Sequence, residues 1–186
     1  MIAKIGLTLV ALAILVLVLV AKKPNDLQIE RTIRIAAPAD AVFSLINDFH
    51  KWPDWAPQDQ EDHSMRRNFS GAASGAGAVS GWRGSGSTGE GRMEIVESVP
   101  DREVTVQVDF ARPFVAHNIN RFVLRADGDA TEVSWRMQGT NPLIAKVMSV
   151  FVDMDRMMGK HFESGLRNLK AAAERPPVAD NGSSQQ

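Results

Sequence analysis

Residues 130–169 read ATEVSWRMQGTNPLIAKVMSVFVDMDRMMGKHFESGLRNL, and the spacing of the apolar residues changes within this stretch. Over Ala130–Gln138 they alternate with polar residues, which is typical of a half-buried strand. After Asn141-Pro142, an N-cap residue followed by proline at the first helical position, they recur every three or four residues. The pattern predicts a strand and then a long amphipathic helix, with Asp153 as the place where it could divide and Pro176-Pro177 as its end.

Strand-like alternation also precedes this stretch. Within Met65–Phe110, apolar residues alternate between turns rich in glycine and serine, and Pro100-Asp101 marks a tight turn. Asp127-Gly128-Asp129 is a hairpin signal between the last two strands. The strands predicted before residue 130 are Leu27–Ala36, Val79–Arg83, Gly91–Val99, Glu103–Phe110 and Val115–Ala126.

Two short helices are predicted after the first strand. Pro38 suits a first helical position, and apolar residues up to Phe49 form one stripe. His50–Pro57 has room only for a short helix or turn. Strands segregated from helices indicate an α+β fold, in which the last helix crosses a curved antiparallel sheet of about six or seven strands. A strongly curved sheet wrapped around one helix leaves a cavity between the two.

Composition and motifs argue against several classes of function. The 186 residues carry a formal net charge of −1 and no basic stripe, so no nucleic-acid partner is expected. Cysteine is absent, which excludes disulfides, thiolate zinc sites and cysteine nucleophiles. Gly84–Gly89 matches GxGxxG, but an alternating strand follows it, which favours turn glycines over a dinucleotide site. Asp59–His63 lacks a metal-ligand spacing and is predicted to be a solvated loop, so neither a metal nor a cofactor is expected.

The N-terminal segment is apolar. Ile5–Ala21 contains no charged residue and, at about 1.5 Å per residue, is long enough to span the hydrocarbon core of a bilayer. Lys22 and Lys23 follow without a clear cleavage site, which favours an uncleaved single-pass anchor over a cleaved signal peptide. Basic residues after the segment outnumber Lys4, so the positive-inside rule favours a cytoplasmic domain. The predicted organisation is an anchor over 1–21, a linker over 22–26, a globular domain over 27–174 and a disordered tail over 175–186.

A resemblance to a known superfamily rests on residues after the first strand. They follow the pattern P-x3-VF-x2-I-x-D-x3-W-x2-W-x-P and comprise Pro38, Val42, Phe43, Ile46, Asp48, Trp52, Trp55 and Pro57. With Gly89–Glu94 and Trp135, this pattern resembles the polyketide cyclase/dehydrase-like branch of the SRPBCC, or START-like, helix-grip superfamily, which also includes the birch-pollen-allergen fold. The resemblance covers residues 27–173. It implies the fold more than the function, because this fold hosts transporters, cyclases and sensors.

The cavity is expected to be lined by inward residues of the strands and by the apolar stripe of the last helix. If Phe122 and Leu124 face inward, then Asn118 on the same strand also does. A buried amide needs a partner, so Asn118 is the main polar candidate, with pairing to backbone alone as the alternative. The predicted ligand-binding residues are Trp52, Trp55, Trp82, Met93, Phe110, Asn118, Phe122, Trp135, Met154, Met158 and Phe162, with Trp52 or Trp55 near the mouth.

These features favour a membrane-anchored protein that binds or carries a hydrophobic, lipid-like or polycyclic small molecule. Two alternatives stay open: a polyketide cyclase or dehydratase, which the resemblance implies, and an interaction scaffold without a ligand. No motif such as GxSxG or HExxH announces a nucleophile and base. An enzyme needs a positioned acid or base, and alternation places Glu97 on the inward face with Met93 and Ile95. Glu97 is therefore the catalytic candidate if the protein is an enzyme.

Overall fold

The structure is a computed structural model that describes residues 20, 26–62, 64–85, 88–113, 115–140 and 154–175, without the side chains of Asp26, Glu61, Thr140 and Met154. The strands are β1 (Asp26–Ile35), β2 (Arg66–Gly71), β3 (Ala78–Arg83), β4 (Glu90–Val99), β5 (Glu103–Arg112), β6 (Ala116–Asp127) and β7 (Ala130–Thr140). The helices are α1 (Ala39–Ile46), a 3-10 helix (Phe49–Asp54), α2 (Pro57–Glu61) and α3 (Met154–Ala173).

The seven strands within the described residues form one antiparallel sheet in the order β1-β7-β6-β5-β4-β3-β2. Strands β2 to β7 pair in chain order, and β1 closes the sequence by pairing with β7. Strands on one layer and helices on the other confirm the predicted α+β class. The bounds of the edge strand β2 were not predicted from the sequence. Nearly all of its side chains are exposed, so no alternation of apolar and polar residues marks it.

The turns between strands follow the predicted chemistry. Asp101 and Gly128 take the left-handed conformation, with φ of 57° and 63°, in the β4–β5 and β6–β7 turns. Gly89, at φ 61°, ends the turn between β3 and β4, where a Cβ would collide with the carbonyl oxygen of Arg112. A strand precedes the GxGxxG stretch and another follows it, so its described glycines are turn residues.

The core lies between the inner face of the sheet and the helical layer. The 3-10 helix is tied to α1 by its two indoles: Trp52 Nε1 donates to the carbonyl of Ile46 at 3.0 Å, and Trp55 Nε1 donates to that of Leu45 at 3.1 Å. Both rings are buried. Fully buried residues around them are Ile29, Ile35, Val42, Ile46, Phe49, Ile95, Val104, Val106, Phe122, Leu166 and Leu169.

Helix α3 is held along the edge strand β1 by charged groups. Arg31 of β1 donates from Nε to Glu163 Oε1 and from Nη2 to Asp155 Oδ2, both at 3.0 Å. Gly159 makes room for this guanidinium, which a Cβ at that position would meet. These contacts span more than two helical turns of α3. They fix the rotation of the helix and therefore the side chains that it turns toward the sheet.

Several predicted features lie outside the described residues. They are the anchor over 1–21 apart from Val20, the linker apart from Asp26, the start of the last helix before residue 154 with its break at Asp153, and the tail beyond Arg175. Within the described ranges, no helix is long and apolar enough to cross a membrane.

Candidate functional site

A cavity of about 330 Å³ lies between the inner face of the sheet, the segment from the 3-10 helix to β2, and α3. Most of the side chains around it are aromatic or aliphatic. Its lining comprises Trp52, Ala56, Gln58, Met65, Arg67, Trp82, Thr88, Met93, Val108, Phe110, Asn118, Asn120, Trp135, Met137, Met158, His161 and Phe162.

The structure brings eight of the eleven predicted ligand-binding residues to this cavity. These are Trp52, Trp82, Met93, Phe110, Asn118, Trp135, Met158 and Phe162. Their strand positions follow from alternation, because every second residue of a strand faces the helix. Met154 begins α3, but its side chain is not among those described.

Two predicted lining residues do not reach the cavity. Trp55 and Phe122 are both 0% exposed and lie in the aromatic core. The Phe122 ring centroid is 4.9 Å from that of Trp135 and 6.2 Å from that of Trp52, and both of these neighbours do line the cavity. The prediction was wrong for Phe122 because alternation identifies the inward face but not the depth of a residue beneath that face. It was wrong for Trp55, expected near the mouth, because an aromatic side chain fills a solid core as readily as it lines a cavity. Trp52, 4% exposed, lies in the buried wall rather than at an open rim.

Two glycines shape the aromatic wall. Gly91 of β4 pairs with Trp82 of β3, and the Trp82 ring lies where a Cβ of Gly91 would otherwise be. This position sets Trp82 edge-to-face against Phe110, with ring centroids 5.2 Å apart. Gly165 of α3 likewise leaves space for the Trp135 ring, since a Cβ at position 165 would lie 2.7 Å from that ring. The absence of a Cβ at these two positions therefore lets α3 approach the sheet and lets each indole ring lie close to the glycine backbone.

The inward parity of β6 is confirmed. Burial alternates along the strand, so that Asn118 and Asn120 face inward while the side chains of His117 and Arg121 are exposed. The side-chain Oδ1 of Asn120 accepts a hydrogen bond from Trp135 Nε1 at 2.9 Å. The Asn118 amide lines the cavity and makes no hydrogen bond within the described residues. Asn118 is therefore a polar group that a ligand can satisfy, whereas Asn120 orients a wall indole.

A buried ion pair at the cavity was not predicted. Asp59 of α2 accepts from Arg67 of β2 through two parallel hydrogen bonds of 2.6 Å, with side-chain exposures of 6% and 9%. Arg67 Nη1 also donates to Ser80 Oγ at 2.9 Å. The solvated-loop interpretation of Asp59–His63 was therefore wrong for Asp59. The sequence signal was weak, because β2 shows no alternation and an eight-residue separation between the partners is typical of no element.

Asp62, the neighbour of this pair in sequence, ties two loops at the cavity together. Its carboxylate accepts from the hydroxyl and backbone N–H of Ser64 and from the backbone N–H of Ser85 at 2.9 Å. The Ser64 hydroxyl, followed by the Ser85 N–H, holds the pKa of Asp62 well below its usual range. The loops that Asp62 joins carry Met65 and Thr88 to the cavity wall.

His161 of α3 also lines the cavity and was not predicted to do so. It precedes Phe162, whose ring packs on Trp135 with centroids 4.2 Å apart. The apolar stripe that marks Phe162 as inward gives no signal for a polar neighbour at the edge of the same stripe. No group of three or more histidine, cysteine, aspartate or glutamate side chains in the described part of the chain could hold a metal ion.

Glu97 does not face the cavity. A β-bulge between Ile95 and Glu97 inserts Val96 without a partner on β5, which reverses the alternation of the strand beyond it. Glu97 is consequently exposed, and Ser98 is instead part-buried and donates to Asn47 Oδ1 at 2.7 Å. The inward prediction for Glu97 was wrong because a bulge leaves no clear mark on an apolar pattern.

An antiparallel sheet that holds a long C-terminal helix over one face, with an apolar cavity between them, defines the helix-grip class of α+β domains. Residues 26–174 match the family model "Polyketide cyclase / dehydrase and lipid transport", and the chain belongs to that family.

This chain covers nearly the whole length of several solved structures with the same fold. Protein CV1439 from Chromobacterium violaceum has a TM-score of 0.58 at 16% identity, with 83% of this chain and 100% of that chain covered. Mll3558 protein from Rhizobium loti has a TM-score of 0.57 at 20% identity, with coverages of 79% and 96%. Ara h 8.0201 has a TM-score of 0.55 at 12% identity, with coverages of 80% and 97%. These likenesses show the fold alone. Among curated proteins, none matches the chain.

Proposed function

We propose that this protein binds or carries a hydrophobic small molecule in the cavity between the sheet and α3, close to a membrane in which its N-terminal segment is anchored. The observation that carries the proposal is a cavity of about 330 Å³ whose wall is mainly aromatic, methionine and aliphatic. Ligand pockets of small molecules begin at about this size and have this composition. The inclusion of lipid transport in the family description agrees with a hydrophobic ligand.

The wall combines rigid and adaptable parts. Trp82 and Trp135 are held by hydrogen bonds from their indole nitrogens, to the Thr88 carbonyl at 3.1 Å and to Asn120 at 2.9 Å. The methionines of the wall are flexible and polarizable, so they can adjust to guests of different shape. They are Met65, Met93, Met137 and Met158. A wall of this kind favours apolar molecules as a class.

Native mass spectrometry of the chain purified from cells, with lipid extraction, tests this proposal. We expect a copurifying hydrophobic molecule on the unaltered chain. The variant Val108→Phe, which fills the cavity from β5, should lose it. Val123→Phe adds the same volume to the opposite face of the neighbouring strand β6 and should keep it. Equal occupancy of both variants, or an empty unaltered chain that also binds no apolar probe, contradicts the proposal and favours a scaffold.

The anchor rests on the uncharged run Ile5–Ala21 and the lysines that follow it. We expect the chain to stay in the membrane pellet after alkaline carbonate washing and to retain its first residues by intact mass. A mass that begins after Ala21 would show cleavage instead. Protease protection of the domain in sealed vesicles tests the cytoplasmic orientation separately.

A cyclase or dehydratase is the second candidate, and one observation favours it. Of the titratable side chains in the described cavity wall, His161 is the one that can take and release a proton near neutral pH, since arginine stays charged. Incubation with a poly-β-keto thioester tests this candidate. Cyclised product that disappears in His161→Gln makes the protein an enzyme, whereas a rate equal to that in buffer keeps the binder assignment.

A further inference from the structure

With His161 neutral, the cavity wall holds one formal charge, that of Arg67, and a carboxylate already neutralises it. Arg67 lines the cavity, and Asp59, 6% exposed, meets its guanidinium with two hydrogen bonds of 2.6 Å. A bidentate carboxylate is the strongest partner that a guanidinium finds in proteins. The pair therefore presents hydrogen-bond donors to the cavity without a net charge.

The guanidinium of Arg67 has more N–H donors than its described contacts use. A guanidinium has five N–H bonds, and the described contacts use three of them, two to Asp59 and one to Ser80. Each Nη atom consequently retains one N–H without a partner among the described residues. On the far side of the cavity, the Asn118 amide of β6 also lacks a hydrogen bond within the described part of the chain. The strands between β2 and β6 contribute apolar residues to the wall, namely Trp82, Met93, Val108 and Phe110.

This arrangement separates three classes of hydrophobic ligand. A hydrocarbon that displaces water leaves the spare donors of Arg67 and the Asn118 amide unsatisfied, which is costly in a buried site. A carboxylate brings a second negative charge next to Asp59, and the repulsion is strong because little solvent screens it. An uncharged hydroxyl or carbonyl oxygen accepts from Arg67 and adds no charge.

We propose that the ligand is an uncharged, oxygen-bearing hydrophobic molecule, such as an alcohol, ketone or ester, whose oxygen accepts a hydrogen bond from Arg67, and that Asp59 makes the cavity select against free carboxylates. The inference rests on the proposed function, because it names the ligand class of the same cavity. Asp59 acts here as a specificity determinant and not as a ligand contact.

Matched probes of one chain length test the inference. Dodecane, dodecanol and dodecanoate are titrated into the full chain in lipid nanodiscs at a pH where the acid is ionised. Tryptophan fluorescence is followed, and empty nanodiscs give the partition correction. We expect dodecanol to bind at least about tenfold more tightly than either of the other probes, the ratio that one well-made hydrogen bond to a charged donor supplies.

The variant Asp59→Asn should reverse the order in which dodecanol and dodecanoate bind. It leaves the guanidinium charge uncompensated, so the affinity for dodecanoate should rise by more than the roughly tenfold or larger deficit it has on the unaltered chain, and dodecanoate should then bind more tightly than dodecanol. Glu103→Gln removes a carboxylate of the same kind from Arg121 on the outer surface and should leave the order of the probes unchanged. The order on the unaltered chain tests the inference even if Asp59→Asn does not fold.

The outcomes separate the two proposals. Binding of any probe supports a hydrophobic cavity, and the order of the probes then decides the ligand class. Dodecane or dodecanoate binding to the unaltered chain as tightly as dodecanol overturns the inference and leaves the proposed function standing. Binding of none of the three, with the domain folded by circular dichroism, overturns both.

Discussion

The buried pair of Asp59 and Arg67 allows a stability prediction with a distinctive form. The perturbation is a pair of single changes, Asp59→Leu and Arg67→Met, together with the double change. Each single change leaves one charge in a wall where the two side chains are only 6% and 9% exposed. Removing both leaves apolar side chains next to an apolar cavity.

The magnitude follows from this burial. Breaking a buried pair by removing one partner costs about 3–5 kcal/mol, because the remaining charge is desolvated without compensation. Replacing both partners with apolar residues is close to neutral in many proteins, but Ser80, which is buried, also loses the hydrogen bond from Arg67, so we expect the double variant to lose about 1–3 kcal/mol. The double change should therefore cost far less than the sum of the single changes.

Urea unfolding of the purified chain, followed by tryptophan fluorescence, measures all four members of the cycle. The midpoint and the slope should be fitted separately, so that a change in compactness is not taken for a change in stability. Single variants that each lose less than about 1 kcal/mol would refute the reasoning, because solvent would then screen the pair. A double variant as unstable as the sum of the singles would refute it as well.

Three further changes have defined outcomes. Phe122→Ala should lower the free energy of unfolding by about 3–5 kcal/mol in urea titration, because it empties a fully buried site between three indoles. Gly165→Ala should lower the thermal midpoint, because its Cβ would lie 2.7 Å from the Trp135 ring and overpacking of about 1–3 kcal/mol outweighs a helix-propensity gain of about 1 kcal/mol. Glu103→Gln should cost about 0.5–1 kcal/mol at neutral pH and progressively less as the pH falls below the ordinary glutamate pKa of about 4.3, because the Arg121 hydrogen bonds lower the pKa of Glu103, and stability that a lowered carboxyl pKa supplies is lost as pH falls through it.

Two of these changes have a matched control variant, and the third is checked by its pH dependence. Phe69→Ala removes the same ring from an exposed position and should change stability little, so an equal loss at both sites would contradict the burial argument. Gly159→Ala meets the far end of the flexible Arg31 side chain instead of a packed ring and should cost less than Gly165→Ala. A Glu103→Gln deficit that persists unchanged in acid would contradict the pKa argument.

The organisation of the domain is readable from short-range pattern. Alternation located six of the seven described strands, and the spacing of Phe162, Leu166 and Leu169 located the last helix. The parity of β6 even identified Asn118 as inward. Such predictions succeed because side-chain direction along a regular strand or helix depends on position alone.

The same logic failed wherever a feature depended on an irregularity or on depth. The bulge at Val96 turned Glu97 outward, because one extra residue reverses every later side chain of the strand. Phe122 faces inward as expected but lies in solid core, because a period of two carries no information about how far other elements cover a residue. Trp55, expected in the cavity wall or near its mouth, lies in the same core, because residue type alone does not show what covers a side chain.

The sequence by itself determined the fold class, the family and the apolar character of the cavity, since these depend on local periodicity and on residue types. Apart from Asn118, only the tertiary structure decided which polar groups reach the cavity and which side chains hold them there. Arg67, Asp59 and Ser80 come from three separate elements, and His161 lies at the edge of an apolar stripe. Their association depends on the pairing of β2 with β3 and on the packing of α2 against the 3-10 helix and α3, and neither has a local signature in the order of the residues.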